Sequence, residues 1–119
     1  MAKKISVVDF GAIGDGVSDD TEAFNKGWKE ACLSPREVVF EIPDGSRVYV
    51  VEKALRFSGP CKSQITVEVW GVIRSAHNED QRLIRFEKVD NLMVKGRGNI
   101  ISSGGSVFYE LDVKLHAPM

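Results

Sequence analysis

The stretch Val7-Val8-Asp9-Phe10-Gly11-Ala12-Ile13-Gly14-Asp15-Gly16-Val17-Ser18-Asp19-Asp20-Thr21-Glu22-Ala23-Phe24 decides how this chain is read. Val7, Val8 and Phe10 are apolar and β-prone, and predict a short strand. Gly11, Gly14 and Gly16 punctuate a turn, because glycine reaches positive φ without a Cβ penalty. Ser18, Asp19 and Asp20 then predict a helix N-cap, and Asp19 with Glu22 three residues on fits a capping box. Strand, glycine turn and capped helix are specified one after another.

Working outward, the helix is expected over residues 20–33. Ala23, Phe24, Gly27, Trp28, Ala31 and Cys32 recur on one face of a 3.6-residue period, with Asn25, Lys26, Lys29 and Glu30 opposite. Pro35 stops it. Phe24 and Trp28 at this spacing read as core rather than as a platform for sugar.

Beyond Pro35 the chain turns to strands. Glu37-Val38-Val39-Phe40-Glu41-Ile42 is β-prone and ends at the turn Pro43-Asp44-Gly45. Arg47 to Val51 and Ala54 to Phe57 follow. The run from Ile65 to Arg74 alternates, with Ile65, Val67 and Val69 on one side and Thr66, Glu68 and Trp70 on the other. After the polar loop His77-Asn78-Glu79-Asp80, Arg82 to Glu87, Leu92 to Lys95 and Asn99 to Ser102 read as further strands, and Val107 to Leu115 as a last one. Hairpin dipeptides such as Asn-Gly do not separate the later strokes, which favours one-way winding over antiparallel hairpins. In a stack of coils each end needs a cover, and an amphipathic helix ahead of the first coil suits that task.

Bulk properties set bounds. The chain has 119 residues, 43% hydrophobic and 28% charged, with net charge −1. That fits one globular domain with a modest core. Nothing points to nucleic acid or to an anionic membrane surface, and no apolar run approaches a membrane span. Met1-Ala2-Lys3-Lys4 is basic, but the residues after it are charged too soon for a signal-peptide core. Either a leader has been removed or the protein stays inside the cell. The two cysteines, Cys32 and Cys61, are either a disulfide, if the chain is secreted, or two small buried thiols. Two cysteines without histidine spacing make a poor zinc site, and no metal or organic cofactor is implied.

Several linked segments resemble the N-terminal portion of the plant polygalacturonases, glycoside hydrolase family 28 of the pectin lyase-like superfamily. They are Asp9-Phe10-Gly11-Ala12-Ile13-Gly14-Asp15-Gly16, Ser18-Asp19-Asp20-Thr21, Ala23-Phe24, Trp28 with Ala31-Cys32, Ile42-Pro43, Phe57-Ser58-Gly59-Pro60-Cys61-Lys62 and Gly96-Arg97-Gly98. The resemblance covers most of residues 6–98. It implies a mainly β fold: a short right-handed parallel β-helix with an N-terminal capping α-helix. The whole chain, 1–119, is then one truncated domain, with the N-terminal strand, glycine-rich turn and cap over 6–33 and β-helix coils over 36–119. It also implies a place in pectin metabolism, secreted to the plant cell wall.

The departures bear on activity. The family's acid and base are aspartates in an Asn-Thr-Asp segment and an Asp-Asp pair, completed by Gly-His-Gly and Arg-Ile-Lys. No such constellation occurs here; Asp19-Asp20 belongs to the cap, and neither His77 nor His116 is flanked by glycines. Lys95 replaces the acidic residue the family has before Gly-Arg-Gly, and the paired tryptophans after it are missing. No catalytic residue is therefore assigned. Asp44, Asp80 and Asp90 sit where turn chemistry explains them.

Two functions are carried forward. One is a polygalacturonase-like protein without its catalytic coils. The other is a non-catalytic protein built on a shortened β-helix that binds a pectic oligosaccharide or a protein. Galacturonate is an anion, so Arg74, Arg82, Arg85, Lys95 and Arg97 are the candidate substrate-binding residues, against the plainer reading of solvated surface charge. An open last coil also invites a homodimer through the C-terminal end, where Phe108, Tyr109, Leu111, Val113 and Leu115 are apolar.

Overall fold

The computed structural model describes residues 2–76, 84–102 and 105–106. The chain runs β1 (Lys3–Ser6), a 3-10 turn (Val7–Phe10), β2 (Asp15–Asp19), α1 (Thr21–Leu33), β3 (Val38–Ile42), β4 (Val48–Val51), β5 (Leu55–Ser58), β6 (Ile65–Val69), β7 (Val72–Ser75), β8 (Ile84–Glu87), β9 (Leu92–Lys95), β10 (Asn99–Ser102) and β11 (Gly105–Ser106).

Three sheets form as the chain winds. The first has order β1-β3-β6-β9, the second β11-β10-β7-β4-β2, and the third pairs β5 with β8. Every pairing is parallel except β10 with β11. The fold is the expected capped, right-handed parallel β-helix. One-way winding has a local exception in the antiparallel return at β11. The proposed strand from Val107, the His77–Asp80 loop and Arg82 lie outside the described residues.

From β3 upward the first sheet stacks at one offset. Val38 lies on Ile65 and Ile65 on Leu92, 27 residues apart each time (65 − 38 and 92 − 65). In the second sheet Val72 lies on Asn99, again 27 apart (99 − 72). Period-2 alternation sends Val38, Phe40 and Ile42, then Ile65, Val67 and Val69, into the core. Glu41, Glu68 and Lys95 stand in one outward row.

The cap follows the helical pattern. Ala23, Phe24, Gly27, Trp28 and Ala31 are buried along α1. Trp28 stacks on Phe57 at 4.7 Å and 6°, and Phe57 meets Phe86 edge-on at 5.5 Å. Phe24 meets Tyr49 edge-on at 5.7 Å. Burying a large side chain of this kind contributes about 1.5–3 kcal/mol. Gly27 is what lets the helix come this close, since a Cβ there would lie 2.6 Å from the Phe40 ring.

Three local expectations are corrected. Val7, Val8 and Phe10 do not form a strand; the strand is Lys3–Ser6, and Ser6 opens a 3-10 turn. Its hydroxyl accepts from Val8 N–H at 3.2 Å, while Asp9 accepts from Ser6 N–H at 3.2 Å. This reciprocal cap satisfies N–H groups that an extended strand would leave to a neighbour. The Asp19–Glu22 capping box does not form either, because both aspartates are engaged elsewhere. Finally, the run from Ile65 to Arg74 is two strands, broken at Trp70 and Gly71 where the coil turns a corner.

Candidate functional site

Asp19 and Asp20 fasten the cap to the coils. Asp20, 2% exposed, accepts from the N–H groups of Ile13 and Gly14 at 2.9 and 3.0 Å, which pins the glycine turn. Asp19 accepts from the N–H groups of Thr21 and Glu52 at 3.0 and 3.1 Å and from the Thr21 hydroxyl. Burial pushes the Asp19 carboxyl up, but the bonds from Thr21 and Glu52 and the charge of Lys53 outweigh it and hold it below the usual range. Asp15 accepts from the N–H groups of Ser18 and Val17 and from the Ser18 hydroxyl, and these bonds also depress its carboxyl. A low pKa is the wrong direction for a general acid. At the other end of the cap, Cys32 and Cys61 are joined in a disulfide, with Cα atoms 4.5 Å apart. Trp28 donates its indole N–H to Ser58 O at 3.1 Å beside it.

The candidate cations are dispersed over three sheets and a corner. Arg74 is exposed on the second sheet and donates to Gly16 O at 2.7 Å. Arg85, on the third sheet, stands on Arg56, and both guanidinium groups face Glu87, at 3.6 and 3.4 Å. Lys95, in the first sheet, lies 3.7 Å from Glu68. Arg97 is exposed at the corner between the first and second sheets. These residues do not line one groove, and Arg82 lies outside the described residues.

The corner between those sheets is the distinctive surface. It takes five residues between β3 and β4, two between β6 and β7, and three between β9 and β10. The offset is 27 on both flanks of the upper two corners, pairing Glu68 with Lys95 and Val72 with Asn99. Arg97 therefore stands on Trp70, and Gly98 on Gly71. The coils are pressed together here. Gly98 N–H donates to Val69 O at 2.8 Å and Asn99 N–H to Gly71 O at 3.3 Å. A Cβ on Gly96 would fall 2.0 Å from Val69 O, and one on Gly98 2.2 Å from Gly71 O. Arg97 is thus the single side chain this corner carries. Below it, Trp70 is half-buried, and its indole N–H is donated to Glu68 at 3.1 Å. Tyr49 stiffens the lowest corner by donating to Pro43 O at 2.8 Å; burial raises its hydroxyl to about 12.

Trp70 was not singled out by the sequence reading, which placed it mid-strand. The signal that finds it is the 27-residue offset, which sets Val69-Trp70-Gly71-Val72-Ile73 against Gly96-Arg97-Gly98-Asn99-Ile100. Among the described residues no group of three or more histidine, cysteine, aspartate or glutamate side chains could hold a metal ion.

What fold and surface define is a helix-capped parallel β-helix with polar outer faces. Known proteins of the same kind follow from comparison. The chain is 41% identical to a polygalacturonase of Malus domestica over 96% of its length. It is 38% identical to polygalacturonase-2 of Solanum lycopersicum and 36% identical to polygalacturonase ADPG1 of Arabidopsis thaliana, each again over 96%. The likeness to polygalacturonases therefore runs through nearly the whole chain. The chain spans only about a quarter of the length of these curated relatives, 25%, 25% and 27%. No family model matches it.

Proposed function

We propose that this chain is the capped end of a polygalacturonase-like β-helix that contacts the galacturonan of pectin and does not hydrolyse it alone. The observation that carries the reading is the 36–41% identity to polygalacturonases along 96% of the chain. Arg74 and Arg97 are its surface cations for galacturonate. Arg85 and Lys95 have carboxylates beside them and contribute less. An inverting hydrolase needs two carboxyl groups about 6.5–9.5 Å apart, one of them kept protonated. Among the described residues, Glu41, Glu68 and Glu87 face cations, and Asp15, Asp19 and Asp20 hold backbone. Secretion to the cell wall accords with a disulfide at the cap. Among the described residues no helix is long and apolar enough to cross a membrane.

Reducing-sugar release from polygalacturonate by the purified chain tests the catalytic part. The expected result is no release above buffer. Steady release would mean that an acid–base pair exists, with Asp80, Asp90 and Glu87 the first to replace.

One observation favours a second reading, self-association. Leu92 and Val94 of β9 are half-buried and Met93 is 50% exposed, at the edge of the first sheet among the described residues. A second copy covering that edge would double the mass seen by light scattering; a monomer's mass would exclude it.

A further inference from the structure

We infer that Trp70 and Arg97 form a subsite for one galacturonate unit, at the corner between the first and second sheets. The inference rests on the galacturonan reading above and names the place and the chemistry of contact. Three features point there together.

First, the coil register sets the backbone of Arg97 over that of Trp70. Gly96 and Gly98 press the upper corner flat onto Val69 O and Gly71 O, so the backbone carrying Arg97 cannot move away from Trp70 without breaking the coil contact. Second, the Trp70 ring is held by its bond to Glu68 and is half-buried. A partly exposed indole held in place can take the C–H face of a sugar ring at little cost in side-chain ordering. Third, Arg97 is exposed and has no hydrogen-bond or ion-pair partner among the described residues. Its planar fork matches a carboxylate with two parallel N–H bonds. The corner below, residues 43–47, is three residues longer than the corner of Trp70 and Gly71 (27 − 24 in the offsets that flank it).

The local charge agrees. Glu68 accepts from Trp70 on one oxygen and faces Lys95 with the other, and its side chain is only 16% exposed. Asp44, in the longer corner below, is exposed and accepts from Ser46 N–H. Arg47, at the end of that corner, donates to Ile13 O. Arg97 is the cation this arrangement leaves for an incoming anion.

Tryptophan fluorescence of the whole 119-residue chain tests the subsite. Trp28 is 4% exposed under the cap, so a ligand at the corner alters the signal of Trp70. The probe is a galacturonate trimer, compared with its methyl ester. The acid should change the fluorescence and the ester should do so weakly. Arg97→Gln should weaken binding about tenfold or more, the loss of one charge-assisted contact. Trp70→Phe should abolish the fluorescence change. Unaltered far-UV circular dichroism and unfolding midpoint would show both variants folded. Titration calorimetry with the trimer gives the affinities of both variants independently of the reporter; if the wild-type chain binds and both variants bind with equal affinity by calorimetry, the subsite is wrong and the galacturonan reading stands. If the wild-type chain binds by calorimetry with no fluorescence change, the subsite is wrong; if it does not bind the trimer by calorimetry either, the galacturonan reading fails and the subsite falls with it.

Discussion

Gly98 lies flat on Gly71: a Cβ added to Gly98 would sit 2.2 Å from the Gly71 carbonyl oxygen. The contact fixes how tightly two coils of the β-helix stack at the corner that carries Trp70 and Arg97. Gly98→Ala must push the coils apart or bend the turn. It should destabilise the chain by about 1–3 kcal/mol, the range for overpacking a filled site. Urea unfolding checks it; an unchanged midpoint would mean that the corner is looser than described.

Asp20 makes the second prediction. Its buried carboxylate takes the N–H groups of both Ile13 and Gly14. Asp20→Ala leaves those donors unsatisfied and should cost about 1–3 kcal/mol. Amide hydrogen exchange at Ile13 and Gly14 should accelerate, while the amides of β6 keep their order of protection.

The third concerns acid. Asp19 is held below its ordinary 3.8 in the folded chain. A depressed folded pKa contributes stability that is fully present above the unfolded value and is lost as pH falls through the folded one. Stability should therefore decline from about pH 5 downward. Asp19→Asn should be less stable at neutral pH and show a shallower acid decline. A variant with the wild-type acid slope would show that Asp19 does not carry this linkage.

The fourth concerns the disulfide, which closes 29 residues between the end of α1 and the turn after β5. Replacing Cys32 and Cys61 together by alanine should cost about 3–4 kcal/mol on the chain-entropy estimate. A dithiol reductant should lower the wild-type midpoint towards that of the double variant and leave the variant unmoved.

These features differ in how far the sequence alone discloses them. The buried face of α1 is legible from Ala23, Phe24, Gly27, Trp28 and Ala31, because 3.6-residue spacing is written directly in residue type. The alternation of β3 and of β6 is equally plain. The corner at Trp70 and Gly71 is not, since two residues without proline or asparagine turn the chain, and the alternation of Ile65 to Val69 runs into them unbroken. The 27-residue offset is masked by the longer corner at residues 43–47 and by α1, which interrupt it in the early coils. Asp19 and Asp20 look like a helix cap by type, but their partners Glu52, Ile13 and Gly14 are set by tertiary contact. The dispersal of Arg74, Arg85, Lys95 and Arg97 over separate faces is likewise a property of the winding.

The measurement that tests the account most directly is the mobility of the folded chain in a native gel containing polygalacturonate, at low and at high salt. The account predicts retardation at low salt that weakens at high salt, as expected for exposed cations meeting a polyanion. Equal mobility with and without the polymer would contradict it.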